Sequence, residues 1–240
     1  MGNPYFQFKQ FRIEQGDCAM KVTTEGCILG AWVEVPEPNC ILDIGAGTGL
    51  LSLMLAQKYH CPIHAVEIDV LAASQAGKNF LNSPWGDRLE LYQQDIGLFE
   101  GLPNGSVDLI ISNPPFFKAN MRSGNESKNL AIHNQALSQE NLLAVIEKFL
   151  SKKGAAYVIY PEYEANMLAS MAPQFGLKAS ESLIIRNKPG KAVLRKILRV
   201  TRASHEGDTL ECPKDFIIRN EQGGFTDDYV NLLQPYYLHL

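Results

Sequence analysis

Cysteine is sparse and unpaired in this 240-residue chain: Cys18, Cys27, Cys40, Cys61 and Cys212 are scattered, with no Cys-x-x-Cys pair. Such spacing offers neither a zinc ribbon nor a disulfide framework, and it reads as reduced, mostly buried thiols in a cytoplasmic protein. His60, Cys61 and His64 lie close together, but a strand over 63–67 turns His64 and Cys61 away from a shared site, so no metal is expected. Long apolar runs are also missing; none approaches the ~18–20 residues of a membrane helix. The opening Met1-Gly2-Asn3-Pro4-Tyr5 lacks the apolar stretch of a secretory leader, and Phe6 breaks the myristoylation pattern. Repeats, low-complexity tracts and linkers are absent. So is an overall positive charge, the net value being −4. What is present is 45% hydrophobic residues, enough for a sizeable core, and a length that fits one domain over 1–240.

Strands and helices alternate along the middle of the chain. Apolar strands are expected at about 40–44, 63–67, 88–93, 107–112 and 155–160. Helices are expected at about 24–33, 48–59, 70–82 and 162–174. Ser138 can cap a further helix carrying Leu142, Leu143, Ile146, Phe149 and Leu150 on one face, with Gly154 as its stop. This alternation implies a parallel sheet with helices on both faces and a ligand crevice at the strands' carboxyl ends. After about residue 178 the pattern changes to strand–strand, over 182–186, 196–201 and 216–219.

Two motifs fall at such strand ends. Ile41-Leu42-Asp43-Ile44 runs into Gly45-Ala46-Gly47-Thr48-Gly49, and then into a helix. Glycines allow a sharp turn and close backbone approach to a ligand. Glu67 ends the next strand, about 20 residues on, where an acid binds ribose hydroxyls in nucleotide-binding α/β folds. Leu50 replaces the last glycine of a dinucleotide fingerprint. Asp43 suits a cationic ligand better than a pyrophosphate, which a carboxylate would repel. The second motif is Asn113-Pro114-Pro115-Phe116. Its prolines remove donors, leaving the Asn113 side-chain oxygen and the Pro114 carbonyl as acceptors beside the Phe116 ring. Two acceptors and a flat apolar face suit a planar NH2 on a conjugated system. No Ser/His/Asp or Cys/His triad stands out. Trp32 and Trp85 read as core residues rather than clamps.

At these residues the chain resembles the S-adenosylmethionine-dependent methyltransferases. Leu42–Leu51 looks like their first motif, Glu67 like the ribose-binding acid and Asn113–Phe116 like the fourth motif of the amine-directed branch. Asp95, in Gln93-Gln94-Asp95-Ile96, looks like the acid near the adenine amino group. The flanks are similar to the bacterial tRNA(Val) adenine-N6 methyltransferases, which modify the purine 3′ to the anticodon. Phe8-Lys9-Gln10-Phe11, Cys18-Ala19-Met20-Lys21-Val22, Gly30-Ala31-Trp32, Ser83-Pro84-Trp85 and Tyr236-Tyr237-Leu238 carry that likeness. Thr23 and Glu25 depart from the family's usual small residue and Asp, and Phe116 from its commoner Tyr.

The resemblance implies a Rossmann-like seven-stranded mixed sheet, mostly parallel, with a C-terminal antiparallel hairpin. Residues 1–38 would be an extension packing on the cofactor and substrate side. S-adenosyl-L-methionine would be held by Asp43, Gly45, Gly47, Gly49, Glu67, Asp95 and Asn113, and Asn113–Phe116 would carry the chemistry. The partner would be tRNA and the protein a monomer. A basic stripe of Lys178, Arg186, Lys188, Lys191, Arg195, Lys196, Arg199 and Arg202 is an electrostatic footprint for phosphates. Within it Lys191, Arg195, Lys196 and Arg199 are the expected RNA contacts. The polar stretch 117–134 is a candidate substrate loop. The alternatives are an rRNA or DNA amine methyltransferase, a protein glutamine-N5 methyltransferase, for whose extra helical domain 38 residues are too few, and a silent binding subunit.

Overall fold

The computed structural model describes residues 3–16, 18, 21–115, 137–204 and 213–240. Its centre is an eight-stranded sheet. The parallel strands β3 (Ile41–Ile44), β4 (Ile63–Glu67), β5 (Leu89–Gln93), β6 (Val107–Ser112) and β7 (Leu150–Tyr160) stand in the order 7-6-3-4-5. Their near-continuous apolar runs are what burial on both faces demands. Successive side chains go to opposite sides. Ile41, Leu109 and Ile111 join one core, with Leu42 and Ile110 in the other.

Helices cover both faces. The first core takes α1 (Thr24–Trp32), α2 (Leu50–Lys58), α3 (Val70–Leu81) and α6 (Asp227–Leu233). The second takes α4 (Gln139–Phe149) and α5 (Glu162–Met171). Local caps start most of them. Thr23 accepts from Gly26 N, Asp69 from Ala72 N, Ser138 from Asn141 N and Thr226 from Tyr229 N, each satisfying an amide the helix cannot. Beyond β7, the hairpin β8 (Leu177–Arg186) and β9 (Val193–Arg202) inserts antiparallel, giving the order 8-9-7. The hairpin expected over 182–201 is present with longer strands.

Three details differ from expectation. The sheet has eight strands rather than seven: β10 (Lys214–Ile217) crosses over to pair parallel with β8 at the edge. The strand expected from Ala155 starts at Leu150, because α4 already ends at Phe149. Gly154 therefore ends no helix. It lies where the β6–β7 register shifts, and a Cβ there would sit 2.9 Å from the carbonyl oxygens of Val107 and Asp108. The aromatic N-terminal stretch forms a small antiparallel hairpin, β1 (Tyr5–Gln7) with β2 (Arg12–Glu14). The chain's other end clamps it, Lys9 N donating to Tyr236 O and Phe8 bridging to Tyr237.

Among the described residues no helix is long and apolar enough to cross a membrane. No group of three or more metal-ligating side chains occurs among them either. Cys27, Cys40 and Cys61 are free thiols.

Candidate active site

The glycine turn between β3 and α2 exists because three residues adopt positive φ: Gly45 at 70°, Gly47 at 57° and Gly49 at 82°. Non-glycine residues are disfavoured there by the Cβ–carbonyl contact. Gly45 N and Ala46 N donate to Val66 O, so the turn is pinned across to β4. At the N-cap of α2, Gly49 has no side chain to offer. Asp43 supplies the cap from β3. Its Oδ2 accepts from Ser52 N at 3.1 Å and Ser52 Oγ at 2.6 Å, and the helix dipole favours a carboxylate there.

This placement corrects the expectation that Asp43 faces a cationic ligand. Its side chain is fully buried, does not line the cavity, and leaves Oδ1 without a partner among the described residues. Burial pushes the carboxyl up to about 7, against the Ser52 hydrogen bonds; nearby Glu67 adds to the rise. Asp43 acts through the turn.

Around the turn opens a cavity of about 480 Å³, within the usual ~300–1,000 Å³ of small-molecule sites. It brings together Gly45, Gly47, Glu67, Asp95, Asn113, Pro114 and Pro115, from the carboxyl ends of β3, β4, β5 and β6. Gly49 stays behind the wall, against the Phe80 ring. Glu67 is mostly buried, with Oε2 accepting from Gly47 N at 2.7 Å and Oε1 from Asp69 N at 2.8 Å. One carboxylate thus shapes the turn and the start of α3. Asp95, exposed at the rim, accepts from Gly97 N at 2.8 Å. Asn113 is half-buried where β6 ends, with Pro114 buried behind it. The α1 N-terminus approaches so closely that a Cβ on Gly26 would lie 3.7 Å from Asn113 Nδ2. Phe116 and the stretch 117–134 lie outside the described residues.

Sequence reasoning missed several participants. Cys18, Ile68, Leu71, Leu137 and Asn141 also line the cavity. Asn79 was missed as well. It is buried, accepts from Glu14 N at 2.9 Å, and donates to Glu14 O at 3.0 Å and Thr48 O at 2.9 Å, tying the N-terminal hairpin to the glycine turn. The available signal was a polar residue on the buried Ala72–Ala76–Phe80 face of α3. Trp32 donates to Ser182 Oγ and Trp85 meets Phe11 edge-on, so both are packing residues.

The basic stripe does not act as one surface. Tyr160 at the end of β7 faces Lys196, so Lys191 and Arg195 lie near the cavity end of the sheet. Arg199 sits mid-strand, opposite Tyr157 and Ser180. Arg202 is at the far end, where it holds Leu150 O and Glu147 beside the C-terminus of α4. Lys196 is the clear correction. It is 6% exposed and ion-paired with Glu162 at 3.3 Å and Glu181 at 2.6 Å, so its charge is committed inside the protein.

Comparison with known proteins agrees with this geometry. Residues 28–164 match the family model of the methyltransferase small domain. A tRNA1(Val) (adenine(37)-N6)-methyltransferase from Dyadobacter fermentans is 40% identical over 98% of each chain. Another from Bacteroides fragilis is 37% identical over the full length of both. The chain belongs to the tRNA1(Val) (adenine(37)-N6)-methyltransferase family. In fold, this methyltransferase is similar to a predicted O-methyltransferase from Agrobacterium tumefaciens (TM-score 0.62, 16% identity, 88% of this chain and 95% of that one).

Proposed function

We propose that this protein transfers a methyl group from S-adenosyl-L-methionine to N6 of an adenosine in tRNA, adenosine 37 of tRNA1(Val), in the cytoplasm. The observation that carries this reading is the single cavity in which the positive-φ glycine turn, Glu67 and Asp95 meet the Asn113–Pro115 segment. The residues fit the donor. Glu67 would hold ribose hydroxyls and Asp95 the adenine amino group. The turn at Gly45 and Gly47 gives close backbone approach without a Cβ. When bound, S-adenosyl-L-methionine supplies an electrophilic methyl on a sulfonium sulfur that retains the C–S electron pair.

The protein's task is then alignment. An exocyclic amine has its lone pair delocalised into the ring. The Asn113 side-chain oxygen and the Pro114 carbonyl can accept its two N–H hydrogens, favour a pyramidal nitrogen and aim the lone pair into the cavity. Fixed acceptors of this kind need no reorganisation during reaction. A base is unnecessary beforehand, because the amine proton becomes acidic only once the new N–C bond forms, and it can then pass to water. Asp43 contributes by fixing the turn and α2.

The test is label transfer. Purified protein, methyl-labelled donor and total tRNA should yield, after nuclease digestion, label that co-migrates with N6-methyladenosine. Label in another nucleoside, in ribosomal RNA or in a protein glutamine would overturn the substrate while leaving fold and cofactor in place.

A further inference from the structure

The first two turns of α5 carry two large apolar side chains in solvent. Tyr163 is 71% exposed and Met167, one turn on, is 41% exposed. Residues four apart share a helix face, so the two make one apolar strip. The strip lies beside the cavity: Gln139 Nε2 donates to Glu164 O at 2.8 Å, and Gln139 is flanked by cavity-lining Leu137 and Asn141. Lys196 fixes the same turn from β9 through Glu162 and Asn166. Next to it, the β8–β9 turn over 187–192 projects from the same end of the sheet, because Tyr160 pairs with Lys196. That turn presents Lys188 and Lys191, neither in an ion pair with a described residue; Lys191 is exposed. Arg186, at its base, is paired with Asp215.

We propose that this rim receives single-stranded RNA beside the target base, with Tyr163 as a stacking platform and Lys188 and Lys191 meeting phosphates. The proposal rests on the tRNA reading above. A base to be methylated at an exocyclic amine must leave its stack to enter a cavity, and its neighbours then expose their faces. An aromatic ring in solvent stacks on such faces without regard to sequence, while lysines follow the backbone. Glu162 opposes this less than a lone carboxylate would, since Lys196, shared with Glu181, pairs with it at 3.3 Å. Duplex RNA, whose bases stay stacked, gains nothing from Tyr163.

Fluorescence anisotropy with a labelled anticodon stem-loop RNA, read beside calorimetric affinity for S-adenosyl-L-methionine, tests the rim. Tyr163→Ala should weaken RNA binding about tenfold, the scale of losing one base–aromatic stack. Tyr163→Phe should bind as wild type, and neither variant should change cofactor affinity. Lys188→Ala/Lys191→Ala should weaken binding and flatten its salt dependence. Removing the same charge at the opposite end of the sheet, in Lys152→Ala/Lys153→Ala, should leave RNA binding unchanged. Wild-type RNA affinity in Tyr163→Ala, or equal losses from the two lysine pairs, would overturn the proposal. If the wild type binds the stem-loop through this rim but methylates no adenosine in it, the rim stands and the assigned reaction fails.

Discussion

Gly47→Ala and Gly49→Ala look alike in sequence, yet the structure separates them. Both positions have positive φ, so each alanine carries roughly 1–2 kcal/mol of backbone strain. At Gly47 the added methyl meets nothing within 4 Å. At Gly49 it would overlap Cε1 of Phe80 and lie 3.0 Å from Cζ. Phe80 is 3% exposed, so its ring cannot swing into solvent, and overpacking of this kind adds about 1–3 kcal/mol. Gly49→Ala should therefore lose about 2–5 kcal/mol of stability, a large share of the ~5–15 kcal/mol typical of a domain. Gly47→Ala should lose only its strain, ~1–2 kcal/mol. Cofactor affinity should show the reverse order, because Gly47 lines the cavity and Gly49 does not. Urea unfolding gives the first comparison and calorimetric titration the second. Equal stability losses in the two variants would refute the packing argument.

Further outcomes follow from the same geometry. Asn113→Ala should keep cofactor affinity and lose roughly a hundredfold in single-turnover rate, the scale of one preorganised dipole; retention of half the rate would remove its assigned role. Glu67→Ala should weaken cofactor binding by ~1.5–3 kcal/mol and also lower the melting temperature, since both oxygens hold backbone amides. Asp43 gives a pH test. Its carboxyl titrates near 7 when folded and near 3.9 when unfolded, so between those values the native state binds the extra proton. Stability from this group is present at low pH and is lost as pH rises through about 7. Urea midpoints at pH 5 and pH 8 should differ less in Asp43→Asn than in wild type, and an identical slope would disprove the assignment.

The strand ends were readable because burial on both faces forces continuous apolar runs, and because Gly45–Gly49, Glu67 and Asn113 each follow such a run directly. β4 matches over Ile63–Glu67, and α4 was marked by its cap at Ser138. The parallel pairing of β10 with β8 was hidden because composition does not report which neighbour a strand chooses. The role of Asp43 was misjudged because a carboxylate beside a glycine turn has the same sequence whether it faces a ligand or caps the helix behind it. Lys196 shows a similar limit. A basic residue in a strand gives no sign of its partners, and Glu162 and Glu181 meet it only through the fold. Asn79 stood out locally only as a polar residue on an apolar helix face; its partners Glu14 and Thr48 are far away in sequence and meet it only through the fold.

Methylation of N6 of adenosine 37 in tRNA1(Val) is the reaction proposed for this protein. Mass spectrometry of nuclease fragments of that tRNA, from cells with and without the gene, reads it directly. N6-methyladenosine should be present at that position with the gene, lost without it, restored by the wild type and not restored by Asn113→Ala. An unchanged level of modification at that adenosine in cells lacking the gene would contradict the account.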